Sequence, residues 1–412
     1  MDRAVRAAAL AAAVIFSVAG GSPARAQSDL RAVADVVPSR SGVEEHLGGD
    51  ISLRLSLDRA VPFRVFTLDA PRRMVLDFRE VDWSAMDPRL GEETDLISDL
   101  RYGIYRPGWS RAVIDLTRPM AVRSAILSPV GTAGAVDLDI RLTGTDAAGF
   151  AATAGHPGGG IWEEAVTLSR PERAEAGRAR PLIAIDPGHG GIDPGAVRGE
   201  VTEKDVTLSM GRILAETLQR SGRYDVLLTR DADYFLTLSE RVEMAREAGA
   251  IMFLSLHANT VEVGIARGAT IFTLSEDPLD AESEELAALE NRVDVLAGTA
   301  IDGTRDSLAQ VLVDLARVET QARSEQFATD MVAALDPRID LNRSKPKWSA
   351  NFRVLRAPDM PSVLLEMGFL SDEIDRSKML SVAWQEAVAE GIVAALDAWI
   401  VKDRKRAELA RQ

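Results

Sequence analysis

Leu182-Ile183-Ala184-Ile185 runs directly into Asp186-Pro187-Gly188-His189-Gly190-Gly191, and this junction decides how the second half of the 412-residue chain is read. Four consecutive apolar residues without polar alternation mark a strand buried on both faces, the kind found in helix-covered parallel sheets. The glycines that follow allow a sharp turn and a close approach of backbone to a bound ion or substrate. Outward from the junction, the pattern predicts a helix from about Lys204 to Arg220 and a strand at Val226 to Leu228. A helix near Leu238 to Ala248 comes next, then strands at Ile251 to Leu256 and Ala269 to Leu274. After two more helical stretches come a strand at Ser362 to Leu365 and a closing helix from about Arg376 to Val401. Strands alternating with helices give an α/β domain, a mostly parallel sheet flanked by helices. Sites in such sheets lie beyond the carboxyl ends of the strands. His189, His257 and Glu366 each follow a predicted strand, and Glu203 stands at the start of the adjoining helix.

The chain has no cysteine and only four histidines, at 46, 156, 189 and 257, so a metal must be held by His and carboxylate. Zinc in a hydrolytic site takes three protein ligands and keeps one position open, and two His with one Glu is a well-attested set. The ion brings the pKa of bound water to about 7 and polarises a carbonyl. A further carboxylate, off the metal, then moves the proton, and Glu366 is the candidate. His156, isolated in a Gly-rich stretch, reads as a solvated side chain.

Residues from about 50 to 143 read as β. Ile51-Ser52-Leu53-Arg54-Leu55-Ser56-Leu57 alternates without a break, and Val136, Leu138, Ile140 and Leu142 repeat the pattern. Pro and Gly punctuation separates the strands, as in a small all-β sandwich preceding the α/β domain. The first 26 residues show a positive start (Arg3, Arg6), an apolar run from Ala7 to Ala19 and Ala24-Arg25-Ala26, the features of a cleaved secretory signal. That run is short against the roughly 20 residues a spanning helix needs, so no integral membrane segment is expected after cleavage. The expected organisation is 1–26 signal peptide, 27–145 β sandwich, 146–180 linker, 181–403 catalytic domain and 404–412 tail. A formal net charge of -15 argues against a nucleic-acid or anionic-membrane partner, since phosphate contacts need clustered cations.

Ile183 to Gly191 (IAIDPGHGG), Thr202 to Asp205 (TEKD), Leu228 to Asp231 (LTRD), Leu254 to Asn259 (LSLHAN) and Leu364 to Ser371 (LLEMGFLS) resemble, in order, the motif series of the zinc-dependent N-acetylmuramoyl-L-alanine amidases. The resemblance spans essentially all of 181–400. It implies that His189, Glu203 and His257 hold Zn2+ and that Glu366 is the catalytic glutamate. Glu200, three residues before Glu203, stays open as the alternative ligand, although the following Lys204-Asp205 favours Glu203. The implied reaction is hydrolysis of the amide between N-acetylmuramic acid and L-alanine in peptidoglycan. More weakly, the N-terminal β region is similar to the targeting domain of the cell-separation members, which implies a periplasmic enzyme at the division site.

Between the strands near Leu274 and Ser362 the chain is longer than a crossover needs, with an insertion expected at about 276–320. Within it, Ala281 to Leu296 is helical in period, with Leu286, Leu289, Val293 and Leu296 on one face and Glu290 among them. A lone carboxylate on a buried face needs a partner, and an open zinc position would be one. Leu289-Glu290-Asn291-Arg292 and Leu308 to Val318 also resemble the regulatory insertion of the division amidases. That resemblance implies a helix blocking the site through Glu290, and an activator protein of degenerate metallopeptidase-like fold that displaces it. The long stripe Leu308, Val311, Leu312, Leu315, Phe327, Met331 and Leu335 reads as core packing.

Overall fold

The alternation at Ile51 to Leu57 becomes a strand whose Ile51, Leu53, Leu55 and Leu57 are all buried. The computed structural model describes residues 34–46, 48–79, 81–130, 134–155, 179–260, 267–275, 281–296, 298 and 307–409, with 307–318 as backbone alone. The expected signal segment, residues 156–178 (with His156), and parts of the expected insertion, including the side chains of Leu308 to Val318, lie outside the described residues.

The strands of the first region are β1 (Ala34–Asp35), β2 (Gly42–Glu45), β3 (Ile51–Leu57), β4 (Phe63–Leu68), β5 (Arg73–Arg79), β6 (Val81–Asp82), β7 (Ile97–Arg106), β8 (Trp109–Leu116), β9 (Met120–Val130) and β10 (Ala135–Gly144). Two four-stranded antiparallel sheets result, β2-β3-β10-β9 and β4-β5-β8-β7. They share one core, in which Leu53, Leu55 and Leu138 of the first meet Leu76, Phe78 and Ile114 of the second. The segment expected to be linker from residue 146 instead starts with helix α1 (Ala147–Thr153), capped by the Asp146 carboxylate accepting from the Gly149 N–H. Its Phe150 is wholly buried in the β core, which contributes roughly 2 kcal/mol and moves the domain boundary past the helix.

The second region carries β11 (Leu182–Pro187), β12 (Val197–Arg198), β13 (Val201–Thr202), α2 (Glu203–Arg220), β14 (Asp225–Leu228), α3 (Leu238–Glu247), β15 (Met252–His257), β16 (Thr270–Leu274), α4 (Ala281–Glu290), α5 (Val293–Leu296), α6 (Ser307–Leu335), β17 (Lys347–Ala350), β18 (Ser362–Glu366), α7 (Glu373–Met379) and α8 (Val382–Leu409). The six-stranded sheet runs β14-β11-β15-β18-β16-β17, parallel except where β16 pairs with β18. Successive strand residues feed opposite cores: Ile183 and Ile185 meet helices α2, α6 and α8, while Ala184 and Phe253 meet α3 and the segment Phe352 to Met360. Burial of both faces is why these strands read as unbroken apolar runs.

Three expectations change. The closing helix is two helices, because the chain turns at Leu380-Ser381, where Ser381 N donates to Lys378 O at 2.8 Å and Gln385 Nε2 donates to the Met379 carbonyl at 2.7 Å. The tail expected from 404 is a continuation of α8 as far as Leu409. The single helix 281–296 is broken after Glu290. There, Asn291 turns its side chain to the backbone of another segment, donating to Asn351 O and accepting from Arg353 N, each at 2.7 Å.

Candidate metal centre

The turn after β11 is built by glycine. Gly190 and Asp193 exchange backbone hydrogen bonds, which folds the chain back on itself within four residues and brings Asp193 under His189. His189 itself adopts φ 60°, costly for a side-chain-bearing residue. The surroundings hold it there: Arg241 Nη2 donates to His189 O and Arg230 Nη2 to Gly188 O, both at 2.8 Å. Beneath them Asp186, fully buried, accepts from Arg241 Nη1, Thr229 Oγ1 and Ser255 Oγ. The Arg241 guanidinium and these hydroxyls keep its carboxyl below the usual carboxylate range despite burial.

His257 and Glu366 are register partners at the ends of the parallel strands β15 and β18. Glu203 opens α2, its Oε1 accepting from Ala258 N at 2.8 Å and its Oε2 from Ala196 N at 2.9 Å. Space for the ligands is reserved by missing side chains. A Cβ on Gly188 would lie 2.5 Å from His257 Cε1, and one on Gly195 would lie 2.7 Å from His189 Cδ2.

The structure thus brings His189, Glu203, His257 and Glu290 into one buried group whose ligand atoms lie within 4.8 Å of one another. His189 Nε2 lies 3.1 Å from Glu203 Oε1 and 3.4 Å from Glu290 Oε2. His257 Nδ1 lies 3.1 Å and 3.2 Å from the same two oxygens. Ligands about 2.0–2.1 Å from a tetrahedral zinc are separated by about 3.3 Å, so the spacing fits such an ion. Among the described residues, His189 Nε2, Glu290 Oε2 and Glu366 Oε1 are buried without a hydrogen-bond partner. A cation held by the group would satisfy His189 Nε2 and Glu290 Oε2, while Glu366 lies outside that group of four.

Electrostatics without metal tell the same story. Burial alone would lower the His257 ring, yet the Glu290 and Glu203 carboxylates raise it to about 10. Burial likewise opposes charge on His189, but Asp193, Glu203 and Glu290 hold it well above its ordinary value. Glu203, against burial, is held well below by the two histidines. Burial pushes the Glu366 carboxyl up to about 8, with His257 pulling it down and Glu203 and Glu290 adding to the rise. The carboxylates thus favour positive charge on both imidazoles, charge of the kind a divalent cation would supply.

Of the two carboxylates left open by the sequence, Glu203 lies in this group and Glu200 sits in an exposed turn. Glu290 is 5% exposed and also accepts from Asn259 Nδ2 at 3.2 Å. The apolar face around it differs from the periodic reading: Ser283, Ala287 and Glu290 face inward, and Leu289 is 45% exposed. The carboxylate's polar partners set the helix rotation in place of Leu289. His46 lies apart, exposed, against Ser52 Oγ. Sequence reading missed Asp193, whose Oδ2 accepts from His189 Nδ1 at 2.7 Å and fixes the ring so that Nε2 faces the group. Its signal was a carboxylate four residues after a candidate ligand.

A family model described as N-acetylmuramoyl-L-alanine amidase matches residues 183–398. The chain belongs to this family. The amidase is 30% identical over 365 residues to the N-acetylmuramoyl-L-alanine amidase AmiC of Neisseria meningitidis serogroup B, covering 84% of this chain and 86% of that one. It is 29% identical over 361 residues to AmiC of Escherichia coli O6:H1, covering 83% and 84%. Among solved structures, AmiC2 of Nostoc punctiforme is 28% identical and covers 54% of this amidase and 99% of its own chain, with a TM-score of 0.38. The amidase is therefore a metal-dependent amidohydrolase that carries a buried His/Glu metal site behind an N-terminal β region.

Proposed function

We propose that this amidase is a zinc enzyme of septal wall splitting, exported to the periplasm through its N-terminal signal segment and held inactive at rest by Glu290. On this reading the β domain targets peptidoglycan at the division site, and an activator protein of degenerate metallopeptidase-like fold displaces the helix. One observation carries the resting block: Glu290 Oε2 stands 3.2–3.4 Å from both histidine ligand atoms, where an open coordination position belongs. The export and division-site parts rest on the signal-like segment 1–26 and on likeness to the AmiC proteins along most of both chains.

His189, Glu203 and His257 would hold the zinc. The ion supplies Lewis acidity, acidifying a water and polarising the scissile carbonyl. Glu366 then does the proton work. Its carboxyl sits at the end of β18, oriented by Asn259 N donating to Oε2 at 3.3 Å, with Oε1 left free of hydrogen bonds. That oxygen accepts the attacking water's proton and returns it to the departing L-alanine nitrogen. Burial keeps the carboxyl's affinity for a proton high enough to do both.

The test is digestion of purified peptidoglycan by the chain from residue 27 onward, with zinc, followed by mass analysis of the products. Glycan freed of intact stem peptides is expected, lost on chelation and restored by zinc. Glu290→Ala should raise the rate on the order of 100-fold, the equivalent of about 3 kcal/mol in charge-assisted contacts released. Cleavage within the stem peptide sinks the bond assignment, and an unchanged rate in Glu290→Ala sinks the block.

A further inference from the structure

We propose that the β domain is itself a latch on the segment carrying Glu290, through a docking surface on the sheet β4-β5-β8-β7 whose occupant is α5 together with Gly298 of this chain. The functional consequence rests on the blocking role of Glu290; the docking itself does not.

The contacts converge on α5, which begins three residues after Glu290. Arg111 is completely buried, with Nε and Nη2 donating to the Asp77 carboxylate at 2.5 and 3.0 Å and the remaining arm, Nη1, donating to Gly298 O at 3.1 Å. Arg73, 2% exposed, donates through Nε to Pro71 O and through Nη1 to Val295 O. Val295 O, which also accepts from Gly298 N at 3.0 Å, and Gly298 O, two residues past α5, thus each take an N–H from a β-domain guanidinium. Gly298 fits because it has no side chain: with φ 69°, its Cβ would lie 3.0 Å from methyls of both Val75 and Val113. Val293 packs with Tyr105 and Val113 of the β domain and with Ile192 and Phe235 of the catalytic domain.

Around this pair, the Tyr105 ring stacks on Phe235 with centroids 5.9 Å apart, and Arg106 pairs with Glu240 at 2.7 Å. The far end of α5 is held by the catalytic domain, where Asp294 accepts from Leu238 N at 2.9 Å. Glu290 cannot withdraw from the histidines without moving a segment that both domains grip. The grip combines one small apolar cluster with arginine contacts to backbone and carboxylate, and domains of one chain move relative to each other unless their interface is large and hydrophobic. Burial lowers Arg73 to about 10, a further sign that its charge is poorly compensated when docked. The latch is thus built to open, and whatever draws the β domain away loosens the block.

The experiment compares wild type, Arg73→Met, a rim double variant (Tyr105→Ser with Arg106→Ala) and Glu290→Ala, all in the chain from residue 27. Amide hydrogen exchange is followed over 290–298 and over β5 and β8, and basal hydrolysis of purified peptidoglycan is measured with no other protein present. Arg73→Met and the rim variant are each expected to speed exchange over 290–298 about tenfold while β5 and β8 stay protected. Basal hydrolysis should rise toward that of Glu290→Ala. Unchanged exchange over 290–298 in both variants overturns the latch. Faster exchange with no gain in hydrolysis, in these variants or in Glu290→Ala, leaves the docking standing and overturns the block. If Arg73→Met loses protection in β5 and β8, the rim variant, which leaves the buried arginines in place, decides alone.

Discussion

Asp193→Asn changes one oxygen into an amide nitrogen, at a position where both oxygens are already committed. Oδ2 accepts from His189 Nδ1 at 2.7 Å, and Oδ1 accepts from Gly195 N at 3.1 Å. If the asparagine keeps its oxygen toward Gly195, its NH2 faces the imidazole. The ring can then satisfy it only by giving up the Nδ1 proton and carrying one on Nε2, the atom that faces the metal group. If the amide flips, NH2 meets the Gly195 N–H, donor against donor in a buried place. Either way one buried polar group is left badly matched, at a cost of about 1–3 kcal/mol. A tenfold change corresponds to about 1.4 kcal/mol, so zinc affinity should fall roughly 10–100-fold. Asp193→Ala removes the bond but leaves the tautomer free and makes room for a water, so it is expected to lose less. The assay is competition for zinc against a chromophoric chelator at neutral pH, with metal-free melting as the check on folding. An asparagine variant that binds zinc within about threefold of wild type, or better than alanine, refutes the tautomer argument.

Glu366→Gln should cut hydrolysis by about 10²–10⁴-fold while zinc binding stays intact; an active glutamine variant would remove Glu366 from the chemistry. Metal-free protein should lose stability as pH rises from 7 to 10. His257, raised to about 10, and Glu366, raised to about 8, both bind protons more tightly folded than unfolded. Their contribution is whole below the unfolded pKa values and vanishes as pH climbs through the folded ones; a melting temperature that is flat or rising over that range contradicts it. Asp186→Asn should destabilise by about 3–5 kcal/mol in denaturant titration, because it strands the buried Arg241 charge. A loss below about 1 kcal/mol would mean the pair is compensated elsewhere.

Much of the second domain could be read from the chain because its strands are buried on both faces and its candidate ligands follow them immediately. Ile183-Ala184-Ile185 and Ser362 to Leu365 carry that signal in consecutive letters. Strand β17 escaped because Lys347, Trp348 and Ser349 are only half-buried at the sheet edge, where neither an apolar run nor clean alternation is required. The break after Glu290 escaped for another reason: Asn291 is held by Asn351 and Arg353, partners some sixty residues away, and helical period carries no trace of them. The same holds for Arg73 and Arg111, which on a strand read as ordinary polar positions and prove to be buried against carbonyls more than 180 residues on.

The last rung of the parallel ladder between β15 and β18 joins His257 to Glu366. On the proposed mechanism, the metal ligand and the proton carrier are therefore spaced by backbone hydrogen bonds and not by the reach of side chains. Deleting or inserting one residue inside either strand would turn its terminal side chain to the opposite face of the sheet. A change of two would restore the face but slide the pair apart by about 6.6 Å. Substitutions can tune this enzyme, and loops can lengthen around it, but the residue count of these two strands is as much a catalytic constant as the identity of the residues that end them.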